Sequence, residues 1–280
     1  MATSTGQKWF IGCGIGCGVL VLVGVMLATG TCYLFKGVAE DFEEVSASHD
    51  ALVAEFGGHG EYTPAADGSV APERIQTFLA VRVGLEENRA ELHELFANLP
   101  SDDSNRFLIF FKAIRGLAGM IGDIVAFVDA RNNVLLDNGM GYGEYLYIYC
   151  SVYYSWLGRD LSDGPMHDGE RIFDGGDSTF GVNASYKSYR KFMLDVLRNQ
   201  LDALPADADD AWRTRLLEEI DATDRDRRHV VWLGDLPPAI EASFTPFRAE
   251  LEAGYDETTN CIELPTDEQE AHGGVQWSID

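Results

Sequence analysis

Basic residues are scarce in this sequence. Across 280 residues, 21 Lys and Arg stand against 46 Asp and Glu, for a formal net charge of −25, and only five of the basic residues are lysine. Nucleic-acid binding needs a cationic surface to neutralise phosphates, and docking on anionic lipid headgroups needs juxtamembrane cations. The shortage argues against both. Histidine is also sparse: the six at 49, 59, 93, 167, 229 and 272 form no zinc spacing such as H-E-x-x-H. No phosphate-binding G-x-x-x-x-G-K-S/T loop is present. Beyond residue 36 only Cys150 and Cys261 remain of the five cysteines, which excludes a disulfide-dense scaffold and leaves one bridge, or two plain buried thiols.

One stretch lacks charge altogether. Trp9 to Phe35 holds no Asp, Glu, Lys, Arg or His over 27 residues. About 20 apolar residues span roughly 30 Å of hydrocarbon, so this run predicts a single transmembrane helix. Trp9, Tyr33 and Phe35 lie near its ends, where interfacial aromatics sit, and Lys8 and Lys36 bracket it. IGCGIGCG (11–18) falls inside the run. It fails the G-x-G-x-x-G spacing of a dinucleotide loop and has no strand before it. Gly12/Gly16 and Gly14/Gly18 are instead small-xxx-small pairs, which let two membrane helices approach and offer a self-association face. Ala28-Thr29-Gly30 resembles a signal-peptide cleavage site, but the apolar run is longer than such a peptide needs and its charged start is weak. The expected organisation is a short tail at 1–8, an uncleaved anchor at 9–35, a helical domain at 36–264 and a mobile tail at 265–280. The short N-terminus is placed in the cytoplasm, and the domain in the periplasm or outside the cell.

All 46 acidic residues follow Lys36. The 244 residues beyond that point can bury a substantial core. Their pattern reads as all-α. Val38 to Phe56 continues as a helix and stops at Gly57-Gly58. Tyr62 to Val70 is a loop with Pro64 and Asp67-Gly68 as turn residues. Pro72 and Glu73 open a helix to about Leu99, with Phe78, Leu85, Leu92 and Leu99 at seven-residue spacing. Phe107 to Val128, running on to Leu136, is expected to be the central core helix. YLYIYCSVYYSWL (145–157) fits a strand by its Tyr145/Tyr147/Tyr149 alternation and a helix by Tyr145/Tyr149/Tyr153; its helical neighbours favour helix. An acidic, glycine-rich loop at 158–183 follows. Ser185 to Leu204, Asp207 to Asp224, and Pro238 to Tyr255 are further helices, the last one split or restarted by Pro246. The fold class expected is a helical bundle behind a single N-terminal transmembrane helix.

FLAVR (78–82), GMGYGEY (139–145) and LPPAI…FRAELEAGYDETTN (236–260) resemble segments of uncharacterised, largely helical bacterial proteins with an N-terminal membrane anchor. That resemblance implies the architecture above and no activity.

Three places carry candidate chemistry. Gly176-Asp177-Ser178 and Asp226-Arg227-Arg228-His229 resemble pieces of GDSL-type hydrolases, with Ser178 as nucleophile, His229 as base and Asp226 orienting it; the alternating strand–helix pattern of that fold is missing. Asp160, Asp163, Asp168, Glu170, Asp174 and Asp177 are hard oxygen ligands suited to calcium, although their spacing fails the EF-hand loop. The tyrosine cluster of 145–154 with Trp156 suits a ligand groove or partner surface, and is read as core with one exposed edge. Separately, Arg82 interrupts an apolar helix face and is expected to form a buried or half-buried pair with Glu144. No residue is thereby assigned a catalytic, cofactor or metal role. The expected function is non-enzymatic binding or assembly at a membrane with an unknown protein or small ligand. A serine hydrolase and a calcium-responsive module are the alternatives.

Overall fold

The computed structural model describes residues 45–97, 106–164 and 179–265, with side chains given outside 106–121, 179–184 and Cys261. Among them every regular element is helical, and no strand occurs. The chain is therefore all-α over this region. None of its described helices is long and apolar enough to cross a membrane; the predicted anchor at 9–35 lies outside the described residues.

Helix α1 is described over 45–56. It stops as expected at Gly57, which takes φ +82° while its amide reaches the Val53 carbonyl at 2.9 Å. A 3₁₀ turn, His59–Glu61, leads into the loop that carries the Asp67-Gly68 turn. There the Asp67 carboxylate accepts from the Ser69 amide and hydroxyl at 3.0 and 2.7 Å, and Gly68 takes φ +75°. Helix α2, Pro72–Gly84, starts on Pro72 as read.

The single helix expected from Pro72 to Leu99 is two, α2 and α3 (Glu86–Ala97). The break falls at Leu85, at φ −98° and ψ 4°. Gly84 explains it, because a Cβ there would lie 2.9 Å from Val134 Cγ1. Only glycine lets α2 come this close to α4, and glycine also weakens the helix at that point. The seven-residue stripe survives the bend: Phe78, Leu85 and Leu92 are all buried.

Helix α4, Arg106–Asp137, ends at Asn138-Gly139 as predicted. Its described half is one-sided, with Phe127, Arg131, Asn132 and Leu135 inside and Asp123, Ala126 and Asn133 outside. The side chains of 107–121, most of the predicted core stretch, lie outside the described residues. Among the described residues the most buried helix is α5, Tyr142–Tyr149, in which only Glu144 escapes full burial. A helix buried on every face needs apolar or hydrogen-bonded residues all round, and tyrosines supply both properties. The next seven residues, Cys150–Trp156, form a π-helix. Its five-residue repeat is seen in the Leu157 amide bonding Val152 O at 2.8 Å. The ambiguous tyrosine run is thus helical, with a wider turn in its second half.

Helices α6 (Thr179–Ala203) and α7 (Asp210–Arg225) pair as a hairpin. The Asp209 carboxylate caps α7 by accepting from the Ala211 amide at 2.9 Å. The last predicted helix is split by Pro246 into α8 (Pro238–Phe244), a 3₁₀ turn (Thr245–Phe247) and α9 (Arg248–Ala253). A four-residue helix, α10 (Asn260–Glu263), closes the described chain. Cys150 is a free, buried thiol, so the bridge to Cys261 is absent. Burial pushes this thiol well above its usual range, which keeps it protonated and unreactive.

Candidate functional site

Among the described residues, a cluster of buried polar groups lies where α2, α5 and α10 meet. Arg82, in the last turn of α2, is 1% exposed. Its Nη1 donates to a Glu263 carboxylate oxygen and, at 2.9 Å, to the Tyr145 hydroxyl. Its Nε and Nη2 donate to the Gly254 carbonyl at 3.1 and 2.8 Å. Tyr145 in turn donates to the other Glu263 oxygen at 2.9 Å. Burial opposes the Arg82 charge, but Tyr145 and Glu263 outweigh it and hold the guanidinium firmly protonated.

The expected Arg82–Glu144 pair does not form. Glu144 binds Arg74, about two turns earlier on α2, at 2.7 and 2.5 Å. The register of α5 is the reason: Tyr145, not Glu144, faces Arg82. Glu144 sits beside an open recess of about 140 Å³ between Phe56, Tyr62 and the α5 start.

The backbone of α10 is held as tightly as its side chains. The Glu263 carbonyl accepts from the Tyr142 hydroxyl at 2.7 Å and from Arg131 Nη1 at 3.3 Å. Arg131 also donates to Ile262 O at 3.1 Å and lies 4.2 Å from the Tyr142 ring centroid, a cation–π contact. Asn260 is fully buried. Its carbonyl accepts from Tyr154 at 2.8 Å and Tyr149 at 3.2 Å, and its amide reaches the Asp160, Leu161 and Asp163 carbonyls. Tyr149 and Tyr154 are five residues apart. In an α-helix they would diverge; the π-helix places both on one acceptor.

At the rim, Asp256 lies 2.9 and 3.0 Å from His93 Nε2 and 3.6 Å from Arg89. Burial and the neighbouring Arg82 charge lower the Arg89 pKa. The segments FLAVR, GMGYGEY and FRAELEAGYDETTN therefore converge here, through Arg82, through Tyr142 and Tyr145, and through Gly254, Asp256 and Asn260. Glu263 lies outside all three segments and was not anticipated. Its one signal is a lone glutamate in the short apolar run CIELP (261–265).

The hydrolase pieces fare differently. Ser178 lies outside the described residues. His229 Nε2 is 2.8 Å from Glu219, whereas the Asp226 carboxylate accepts from the Arg228 backbone amide at 2.9 Å. The carboxylate that orients His229 is thus Glu219, on the preceding helix α7. Of the acidic loop, Asp160 and Asp163 are described. Asp160 accepts from the Ser162 amide and hydroxyl, and Asp163 from the Tyr255 hydroxyl at 2.9 Å. Among the described residues no group of three or more His, Cys, Asp or Glu is placed to hold a metal ion. The larger surface feature is an open groove of about 450 Å³ along α7, lined by Asp210, Thr214, Arg215, Glu218, Glu219 and Asp235. No family model, curated protein or solved structure matches this chain.

The arrangement around Arg82 is suited to holding elements together. A nucleophile or acid–base pair must reach a substrate. Here the carboxylate and guanidinium are 0% and 1% exposed, and both carboxylate oxygens are taken by neighbouring side chains.

Proposed function

We propose that the chain is a membrane-anchored, non-enzymatic binding or assembly protein. Residues 9–35 cross the bilayer, with the N-terminus in the cytoplasm and the acidic helical domain in the periplasm or outside the cell. Gly12 and Gly16 face a second copy in the membrane. The observation that supports this reading is the direction of the buried charge. Arg82, Glu263, Arg131 and Asn260 bind other parts of the same chain and make a rigid, preorganised body, the usual requirement of a binding module. The test is cross-linking of the full chain in its native cells, purification in mild detergent and mass spectrometry. The expected result is a partner, or a second copy, recovered in stoichiometric amount. Recovery of un-cross-linked single chains alone would reject the reading.

A hydrolase is the second reading, favoured by one observation: a carboxylate, Glu219, holds the His229 imidazole. It requires that Ser178→Ala abolish esterase activity of the purified chain. Equal activity in both forms would sink it.

A further inference from the structure

Segment 259–263 is connected to the rest of the domain as a ligand is connected to a receptor. Its polar side-chain contacts run to residues 97 to 181 positions away in sequence, on α2, α5, the π-helix and the loop after it. A four-residue helix has no stability of its own, so the site imposes the shape. Thr259, Asn260 and Glu263 are each buried to zero exposure. Lifted out, the segment would leave Arg82 and Arg131 facing an aromatic chamber of Tyr142, Tyr145, Tyr149 and Tyr154, with a guanidinium at one end and amide-binding hydroxyls at the other. Arg131 Nε is already buried without a partner. Gly164, at φ +112°, allows the segment's approach to pass: a Cβ there would lie 2.3 Å from Glu257 O.

We infer that this chamber is a peptide-acceptor site for one helical turn bearing Asn and, three residues later, Glu. It is filled here by the chain's own Asn260–Glu263 and can be filled by the same segment of a second copy. The inference rests on the assembly reading above and names its partner. Exchange of an identical element between two copies of the chain needs no new interface, because each contact is replaced by its equal. The carboxylate carries the recognition, since charge-assisted bonds to a buried guanidinium are stronger than neutral ones.

The test uses two full-length variants carrying different tags. Asn260→Ala/Glu263→Ala keeps an acceptor and lacks a competent segment. Arg82→Met keeps a segment and lacks the acceptor. Mixed in mild detergent, they are expected to associate one to one and to melt higher together than either does alone. A synthetic peptide of residues 258–265 is added separately to the first variant. It should raise that variant's melting temperature, and the Glu263→Gln peptide should bind about tenfold or more weakly. Should the first variant not fold alone, refolding in the presence of the peptide gives the same reading. Peptide binding without association of the chains would overturn the second copy as the source. Failure of the peptide to bind or to restore folding would overturn the acceptor site itself. Neither result depends on cross-linking in cells, so this inference and the assembly reading can fail independently.

Discussion

Truncating Glu263 to alanine leaves the Arg82 guanidinium buried and without the carboxylate that touches it. Removing one partner of a buried ion pair costs about 3–5 kcal/mol, so Glu263→Ala should lower the melting temperature by on the order of 10 °C in a domain of this size. Arg82→Met should cost a similar amount. The double variant Arg82→Met/Glu263→Met is expected to lose less than either single change, because no uncompensated charge remains; chemical denaturation of the four chains measures this. His49 gives a pH effect of opposite character. Burial first, and Arg131 after it, lower its pKa despite Asp50. The folded state thus binds fewer protons than the unfolded state as pH falls below the unfolded value near 6.5. Its contribution is fully present above that pH and is lost on acidification. His49→Gln should flatten the fall in stability just below pH 6.5, and denaturant midpoints measured across that range would show no change if the assignment is wrong.

Between elements, the close pass of α2 over α4 depends on the hydrogen atom of Gly84. Gly84→Ala improves helix propensity by up to about 1 kcal/mol, but its Cβ would press on Val134 at 2.9 Å. Overpacking of this kind costs about 1–3 kcal/mol, so a net loss of stability by calorimetry is expected. A gain would mean that the helices separate freely. The same position shows what a linear reading captures. Phe78, Leu85 and Leu92 announce their buried stripe through local periodicity, Pro72 and Gly57 mark helix ends through backbone chemistry, and Pro246 marks the split between α8 and α9. The break at Leu85 does not announce itself, because it answers a contact with a residue 50 positions on. The π-helix at 150–156 brings Tyr149 and Tyr154 onto Asn260, a residue more than 100 positions on, so local pattern does not reveal it either. The pairing of Arg82 went astray by one residue on α5, and its true partner is 181 positions away, beyond any local pattern.

The whole domain carries its charge unevenly. The surface is strongly acidic, while Arg82, Arg89 and Arg131 lie inward. Self-repulsion among surface carboxylates opposes the folded state and is screened by salt, with a Debye length of about 10 Å at 0.1 M. Stability to urea is therefore expected to rise with sodium chloride; a fall would place the dominant electrostatics in attractive surface pairs such as Arg190–Asp224. The distance along the chain from Arg82 to Glu263 has a consequence in time. Synthesis at about 5–20 residues per second separates their emergence by roughly 10 to 35 s. Until α10 has been made, Arg82 lacks its carboxylate, and Tyr149 and Tyr154, once made, lack their acceptor. The buried network can therefore close only after α10 has been made, which puts the final packing of Arg82 late in the life of the growing chain.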